Sequence, residues 1–502
     1  MKKIKPIMKT KSLLLIILLF SSFSVLSAQL SFATVWNTNI NNDNSKQIKF
    51  LTQGSFQYFY VDMTNSNTSQ IFQNNGGDVV IDFPKSGLYK LHIVANSQFK
   101  FNSKVTVPND AEAKKLISVT QWGNVNWNPD ISQMFWYCTN LNIEATDIPN
   151  FQNVINMNSM FAECSNLKTI PNINSWNVGN VTNMSYIFFK NSLFNESLSN
   201  WNVSDVTNME AMFAFASTFN QSLCEWNVSK VSSMRGMFRD AVSFNQPLEN
   251  WNVGNVVDMY IMFYNAQSFN QPLQNWNVSK VTNMGGMFVN SKKFNQPIGN
   301  WNVSNVTTME HMFSGTTVFN QDLGNWNLKR INLVGNSEGF NSLHNFLDSS
   351  GMDCQNYMKT LKGWSENLNT PNNLNLGVGG IRYGLDGKTY RDLIINTKGW
   401  NITGDSYSTN CNSSLTVSNI SKDEIHVYPN PFSEKLYVDL GGLDNKASNI
   451  KIYSSNGSLI YDRNITSKNT TEIYLKNKLP NGVYHIIVNS GKNVKSFKVI
   501  KK

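Results

Sequence analysis

Apolar residues recur in the middle of the chain with a period of 25 residues. The clearest mark of this period is a tryptophan column in which every successive difference is the same (201 − 176 = 25): Trp176, Trp201, Trp226, Trp251, Trp276, Trp301 and Trp326. A period of about 20 to 50 residues is typical of stacked repeats, in which each unit buries its apolar side against its neighbours. We therefore expect the tryptophans to lie in the core.

Two spacings within one repeat predict its secondary structure. In residues 256–280 the first apolar residues are three, one and three positions apart, as on one face of a short helical turn: Met259, Met262, Phe263 and Ala266. Further along, Trp276 and Val278 alternate with polar residues as in a half-buried strand. We therefore expect one strand, one turn and one short helix in each repeat.

The methionine of this pattern predicts how many repeats the chain contains. It, or its equivalent, occurs at Met134, Met160, Ile187, Met212, Met237, Met262, Met287 and Met312, which indicates about eight coils. The predicted fold class is α+β or mainly β, with a leucine-rich-repeat-like solenoid over residues 116–330.

The flanking residues predict further units. Short alternating runs with Gly and Asn clusters over residues 29–115 predict an N-terminal β-sandwich module, and similar runs with Asn-Gly turns over residues 425–502 predict a second β-sandwich. Where the period breaks, residues 331–412 predict a cap that contains an amphipathic helix near 356–364 and a tight turn at Asp386-Gly387. The Ser- and Asn-rich residues 413–424 predict a linker.

The N-terminus has the composition of a signal peptide. Residues 1–28 combine five lysines, an apolar run from Leu13 to Phe20 and the small pair Ser27-Ala28. Its removal lowers the formal net charge from +9 to +4 (9 − 5 = 4). No later run of the mature chain predicts a transmembrane anchor, and the repeats carry no basic stripe for a nucleic acid.

The cysteines leave two pairings open. Cys138 and Cys164 occupy the same position of consecutive coils, so they are either a disulfide or two buried thiols in a column that elsewhere holds alanine. Cys354 and Cys411 could pair in the same way, which would leave Cys224 as the unpaired fifth cysteine. The cysteines and histidines show no metal-ligand spacing, and no motif predicts a cofactor.

Two stretches resemble known families. The run W-N-V-S-x-V-T-N-M-x-x-M-F with F-N-Q-P-L, between Met134 and Leu328, resembles the BspA-like leucine-rich-repeat surface proteins. The tail, from Tyr428-Pro-Asn-Pro through L-P-N-G-V-Y at 479–484 to the terminal lysines, resembles the type A sorting domain of type IX secretion. The resemblances imply a secreted or cell-surface protein, the secretion machinery as a partner, and adhesion to a host or environmental protein or glycan.

The row beside the tryptophan column is the predicted ligand face because it is rich in amides and nearly uncharged. It consists of Asn250, Asn252, Asn275, Asn277, Asn300 and Asn302. The alternative is that this row only solvates the sheet.

Two other functional hypotheses stand beside adhesion. One is a structural surface or matrix component without a specific ligand. The other, a secreted polysaccharide hydrolase, needs two carboxylates about 5 to 10 Å apart. Charged positions of the repeats instead change sign from coil to coil, as at Glu210 and Arg235, so we expect no enzyme.

Overall fold

The computed structural model describes residues 30–40, 42–103, 111–331, 343–411, 426–428, 430–439, 448–465, 471–475, 479–490 and 493–502. The chain divides into two compact units, Met1–Asn412 and Ser413–Lys502. The predicted signal peptide, 1–28, and the predicted linker, 413–424, lie outside the described residues.

The first unit begins with two β-sheets. Their strands are β1 (Phe32–Asn37), β2 (Gln47–Gln53), β3 (Phe56–Asp62), β4 (Phe72–Asn74), β5 (Gly77–Asp82), β6 (Leu88–Ala95), β7 (Lys100–Asn102), β8 (Leu116–Gln121) and β9 (Asn142–Ile143). One sheet has the order β4-β3-β6-β1-β8-β9 and the other the order β5-β2-β7. A short 3₁₀ helix, Ala113–Lys115, leads into β8.

Aromatic rings join these sheets to each other and to the repeats. Trp36 of β1 stacks on Phe50 of β2 with ring centroids 5.7 Å apart, and Trp122, just after β8, lies 5.3 Å from Trp176. The buried residues consequently form one continuous hydrophobic cluster from Phe32 to Ile402. The strands therefore cover the first end of the stacked repeats.

The predicted leucine-rich-repeat-like solenoid, with a strand and a short helix in each coil, is wrong, although the mainly β character holds. From 144 to 353, apart from the undescribed 332–342, the structure has no strand and no α-helix, only turns and the 3₁₀ helix Ile173–Ser175. Consecutive repeats are joined by isolated parallel β-bridges, with one bridging residue in each repeat. These residues are Asp130, Asn156, Asn183, Asn208, Ser233, Asp258, Asn283 and Thr308. These bridges do not form a continuous sheet.

Left-handed residues explain why the helical spacing does not produce a helix. Each repeat has two residues with positive φ four positions apart, such as Ala211 (φ 50°) and Phe215 (φ 61°). A right-handed helix cannot continue through such residues, so the segment folds as successive turns. Its alternate N–H groups then donate to the next repeat; Ala211 donates to Arg235 O at 2.8 Å and Phe213 to Met237 O at 3.0 Å.

Two ladders of side chains hold consecutive repeats in register. Each indole N–H from Trp201 onward donates to a carbonyl of the preceding repeat, as Trp226 does to Leu198 O at 3.0 Å. In the F-N-Q segment, the Asn245 side-chain oxygen accepts from the Asn270 N–H at 2.9 Å and from the Gln271 amide at 3.0 Å. The F-N asparagines thus link each repeat to the next.

Both ladders end on the first helix of the cap, α1 (Cys354–Glu366). Trp364 donates to Leu323 O at 3.0 Å, as a further tryptophan of the column would. Asp353, the N-cap of α1, donates its N–H to the Asn320 side chain at 2.9 Å, and Asn356 donates to the same oxygen. The start of α1 thus occupies the position of one more Asn-Gln pair.

The cap contains a second helix, α2 (Leu385–Lys398), and two small parallel sheets. Its strands are β10 (Asn375–Gly377), β11 (Arg382–Tyr383), β12 (Asn401–Thr403) and β13 (Ser406–Tyr407), paired as β10-β12 and β11-β13. Asp386 and Gly387 lie in the first turn of α2, so their interpretation as a tight turn is wrong. The 3₁₀ helix Thr409–Cys411 ends this unit.

One buried residue of the repeats is poorly matched to its site. The column that holds Ala216 and Ala241 has Asn191 in an earlier repeat, fully buried, and neither polar atom of its amide has a hydrogen-bond partner among the described residues. At the equivalent positions Ser291 and Thr316 donate to carbonyl oxygens of the preceding repeat, both at 2.5 Å. An unpaired buried amide costs free energy that a paired hydroxyl does not.

We expect Asn191→Ser to raise the free energy of unfolding by about 1 kcal/mol, because serine can donate to the preceding repeat and leaves no amide unpaired. Urea unfolding followed by tryptophan fluorescence measures the change. The matched control is Ser291→Asn, which should lower stability by a similar amount. An Asn191→Ser protein less stable than the wild type would contradict this account.

The second unit consists of two antiparallel sheets. Its strands are β14 (His426–Tyr428), β15 (Lys435–Asp439), β16 (Ser448–Ser454), β17 (Leu459–Ile465), β18 (Thr471–Tyr474), β19 (Gly482–Ser490) and β20 (Asn493–Lys501). The sheet orders are β14-β15-β18 and β17-β16-β19-β20. Alternate residues such as Ile450 and Ile452 of β16 are fully buried in a separate core.

Candidate functional site

The predicted asparagine face is exposed, and half of it also supports the fold. All six of its residues are exposed. The side-chain oxygens of Asn252, Asn277 and Asn302 accept the N–H two residues further on, at 3.1 to 3.2 Å. Such bonds stabilise the local turn. The side-chain oxygens of these three asparagines therefore stabilise the fold, although the residues themselves are exposed.

One set of positions that vary between repeats lies on a different face. They are the two residues after the first methionine and the two residues after the Met-Phe pair, for example Arg235-Gly236 with Arg239-Asp240, and Tyr260-Ile261 with Tyr264-Asn265. Met237 and Phe238 between them are fully buried, whereas the larger variable side chains, such as those of Arg235, Arg239 and Tyr260, are partly exposed. This face of the stack thus carries side chains whose chemistry differs from repeat to repeat.

Three neighbouring cavities lie in series along this face, and we call them together the variable groove. Their volumes are about 280, 280 and 250 Å³. The first and second share the lining residues Tyr186 and Phe189, and the second and third share Ile261. The groove runs from Gln133 to His311, and none of the six predicted asparagines lines it.

Half-buried aromatic rings line the groove. They are Trp136, Tyr186, Phe189, Phe215, Tyr260 and Tyr264. Two arginines lie against these rings: Arg235 is 4.2 Å from the centre of the Tyr260 ring, and Arg239 is 5.1 Å from that of Phe215 and 5.4 Å from that of Tyr264. Stacking holds the guanidinium groups in place, so the groove is preorganised over these repeats.

The polar groups of the groove are also linked to one another. The Tyr186 hydroxyl donates to a Glu210 carboxylate oxygen at 2.7 Å, and Arg235 lies 3.8 Å from the same carboxylate. Burial, and then the hydrogen bond to Glu210, raise the pKa of Tyr186 to about 12, so its hydroxyl keeps its proton at neutral pH. Burial first, and then His344, lower the pKa of His311, which favours its neutral form.

The structure also places the cysteines. Cys354 and Cys411 form a disulfide that closes 57 residues of the cap. Cys138 and Cys164 are buried thiols, and Cys164 donates to Phe135 O at 3.0 Å as the hydroxyls of Ser291 and Thr316 do to their own phenylalanine carbonyls. The described residues contain no cluster of three or more His, Cys, Asp or Glu side chains that could hold a metal ion.

Comparison with known proteins gives two matches. Residues 109–171, 128–251 and 242–351 match a family described as "Mycoplasma protein of unknown function, DUF285". Residues 426–502 match the secretion system C-terminal sorting domain. No curated protein matches the chain.

The sorting-domain match gives the chain its location. It is a repeat protein with a C-terminal sorting domain, exported by type IX secretion to the cell surface or beyond it. In the described part of the chain, we find no helix with the length and apolar character needed to cross a membrane.

Proposed function

We propose that the exported chain is a non-enzymatic adhesion protein that binds an extracellular protein or glycan along the variable groove. The observation that carries the proposal is the concentration of half-buried aromatic rings and stacked arginines on a face where the repeats differ. Aromatic residues and arginine are enriched where proteins bind partners, and they contribute most of the binding energy there.

The location of the chain and its sequence resemblance support this function. A sorting domain at 426–502 brings the repeats outside the cell, where an adhesion protein acts. The W-N-V-S-x-V-T-N-M-x-x-M-F motif resembles BspA-like surface proteins, which are associated with adhesion. The asparagine row remains a second predicted face, since all six of its residues are exposed.

A structural component without a ligand is the competing function, and the two differ in one measurable property. An adhesion protein binds its partner saturably, whereas a structural component does not. The full mature chain should therefore be tested against immobilised extracellular-matrix proteins, polysaccharides and whole cells by a concentration series. We expect saturable binding to at least one surface and no release of sugar or peptide fragments from it.

Two variants distinguish the faces. The groove variant is Phe215→Asn with Tyr260→Ala, in which asparagine tolerates the left-handed backbone at 215. The row variant is Asn250→Ala, Asn275→Ala and Asn300→Ala, three exposed positions. We expect only the groove variant to lose binding. Loss in the row variant alone would move the site to the asparagines, and an absence of saturable binding to every surface would favour the structural role.

A further inference from the structure

The charges of the variable groove are compensated by neighbouring side chains. Its cations pair with carboxylates at 4 Å or less: Lys190 with Glu163 (3.2 Å), Arg235 with Glu210 (3.8 Å) and Asp258 (3.7 Å), and Arg239 with Asp240 (3.3 Å). Anionic polymers are bound by clusters of Lys and Arg whose charge is free to replace counterions. The groove therefore suits a neutral ligand better than a nucleic acid or an acidic polysaccharide.

The backbone of the groove is already engaged. The N–H groups of Phe215, Asp240 and Asn265 all donate to the next repeat, at 2.6 to 2.7 Å. An extended peptide that joins a protein as an added strand needs a row of such groups free to pair. The groove lacks that row at these positions, so recognition must rely on side chains.

The side chains combine flat rings with carboxylates in each cavity. Trp136 lies with Glu163 in the first, Phe215 with Glu210 in the second, and Tyr260 with Glu310 in the third. A ring offers an apolar surface for stacking, and a carboxylate accepts hydrogen bonds from hydroxyl groups. A sugar ring presents both complements, namely an apolar C–H face and a rim of hydroxyls.

We propose that the variable groove binds a neutral, linear polysaccharide whose chain follows the stack and whose sugar rings lie against the exposed parts of Trp136, Phe215 and Tyr260, beside the stacked arginines. This inference rests on the proposed function and adds the chemical class of its ligand. The succession of three cavities along the repeats, in which neighbours share Tyr186, Phe189 or Ile261 as lining residues, is the reason for a linear chain instead of a single sugar. Each cavity then acts as one subsite.

The test is affinity electrophoresis of the full mature chain in gels that contain a soluble polysaccharide. Arabinoxylan, mixed-linkage β-glucan, galactomannan and pullulan are the neutral probes, and polygalacturonate and heparin are the anionic ones. Surface-immobilised fibronectin and collagen test protein ligands in parallel. We expect retardation by at least one neutral polysaccharide, with an affinity that changes less than about twofold between roughly 50 and 500 mM NaCl because no ionic contacts are involved.

The groove variant and the row variant locate the binding. We expect Phe215→Asn with Tyr260→Ala to weaken the affinity about tenfold or more, which corresponds to about 1.4 kcal/mol or more. The row variant should bind as the wild type does. Thermal unfolding of each protein shows whether the fold is retained; if the double variant is destabilised, Trp136→Ala, in a different cavity, replaces it. Oligosaccharides of increasing length should bind more tightly until they span the three cavities.

The outcomes distinguish a failure of this inference from a failure of the proposed adhesion function on which it rests. Saturable binding to fibronectin or collagen without retardation by any neutral polysaccharide overturns the ligand class and leaves the adhesion function standing. Retardation only by polygalacturonate or heparin, or retardation unchanged in both Phe215→Asn with Tyr260→Ala and Trp136→Ala, also overturns it. Binding to none of the probes or surfaces removes the adhesion function and the inference together.

Discussion

Replacement of one tryptophan of the column, Trp276→Ala, is expected to lower the free energy of unfolding of the first unit by about 3 to 5 kcal/mol. Trp276 is 3% exposed, and its ring stacks on that of Trp301 with centroids 6.5 Å apart and the planes 3° from parallel. Its indole N–H donates to Leu248 O at 2.9 Å. Alanine removes the packing against Trp301 and the indole hydrogen bond, while Leu248 O keeps only the Trp251 N–H as donor at 3.1 Å, so the packing and hydrogen-bond losses add.

Urea unfolding of the mature chain measures the Trp276→Ala effect, and Asn275→Ala is its control. Asn275 is the exposed neighbour, so its replacement should change stability by less than about 0.5 kcal/mol. Because consecutive repeats share one core, we expect the loss to appear in the main transition. A loss below about 1 kcal/mol would mean that the tryptophan column is not the principal core of the repeats.

The core could be predicted from the sequence because burial follows directly from a strict period. The tryptophans, the Met-Phe pairs and the F-N asparagines occur at fixed intervals, and the structure buries the apolar ones and links the asparagines. The backbone conformation within each repeat could not be predicted from the period. Apolar residues three and four positions apart fall on one side both of a helix and of a series of turns. The backbone becomes a series of turns because positions such as Ile261 and Asn265 have positive φ. The residue type at these two positions differs from repeat to repeat, so no residue type marks them in the sequence.

The second cap helix was missed for a related reason. Only Gly387 and Ile394 of α2 are fully buried, so its sequence has a weak apolar pattern. Asp386-Gly387 then suggested a turn. In the structure Gly387 instead allows close packing, since a Cβ there would lie 3.1 Å from Cβ of Tyr383.

The sequence contains a signal for the variable groove, namely the residues that differ between repeats, but the strict period favours the residues that do not differ. The asparagine row was predicted as the ligand face because it is rich in amides and nearly uncharged, but it is also uniform from repeat to repeat. A binding surface needs chemical differences along its length, and those occur between the methionines, where Glu210-Ala211 becomes Arg235-Gly236 and then Tyr260-Ile261. An alignment of the repeats shows this face among the variable columns. Its cavities depend on left-handed turns, which the sequence does not reveal.

Replacement of the arginine in the cap, Arg391→Met, should destabilise the first unit by about 3 to 5 kcal/mol. Arg391 donates to both carboxylate oxygens of Asp405, at 2.8 and 3.0 Å, and Tyr357 donates a third hydrogen bond at 2.8 Å. The Asp405 side chain is only 1% exposed. Methionine preserves the apolar packing of the arginine stem but leaves a buried carboxylate with no cation, and water cannot solvate it there.

The unequal burial of the two partners predicts unequal effects of their removal. The Arg391 side chain is 19% exposed and can be partly solvated once Asp405→Asn removes its partner, so this change should cost less than Arg391→Met. The double replacement should recover most of the loss, because asparagine still accepts from Tyr357 and no charge remains buried. Urea unfolding of all four proteins with the Cys354–Cys411 disulfide intact provides the complete cycle. Additive losses in the double variant would show that the pair acts through packing alone and that the charge of Asp405 does not require Arg391.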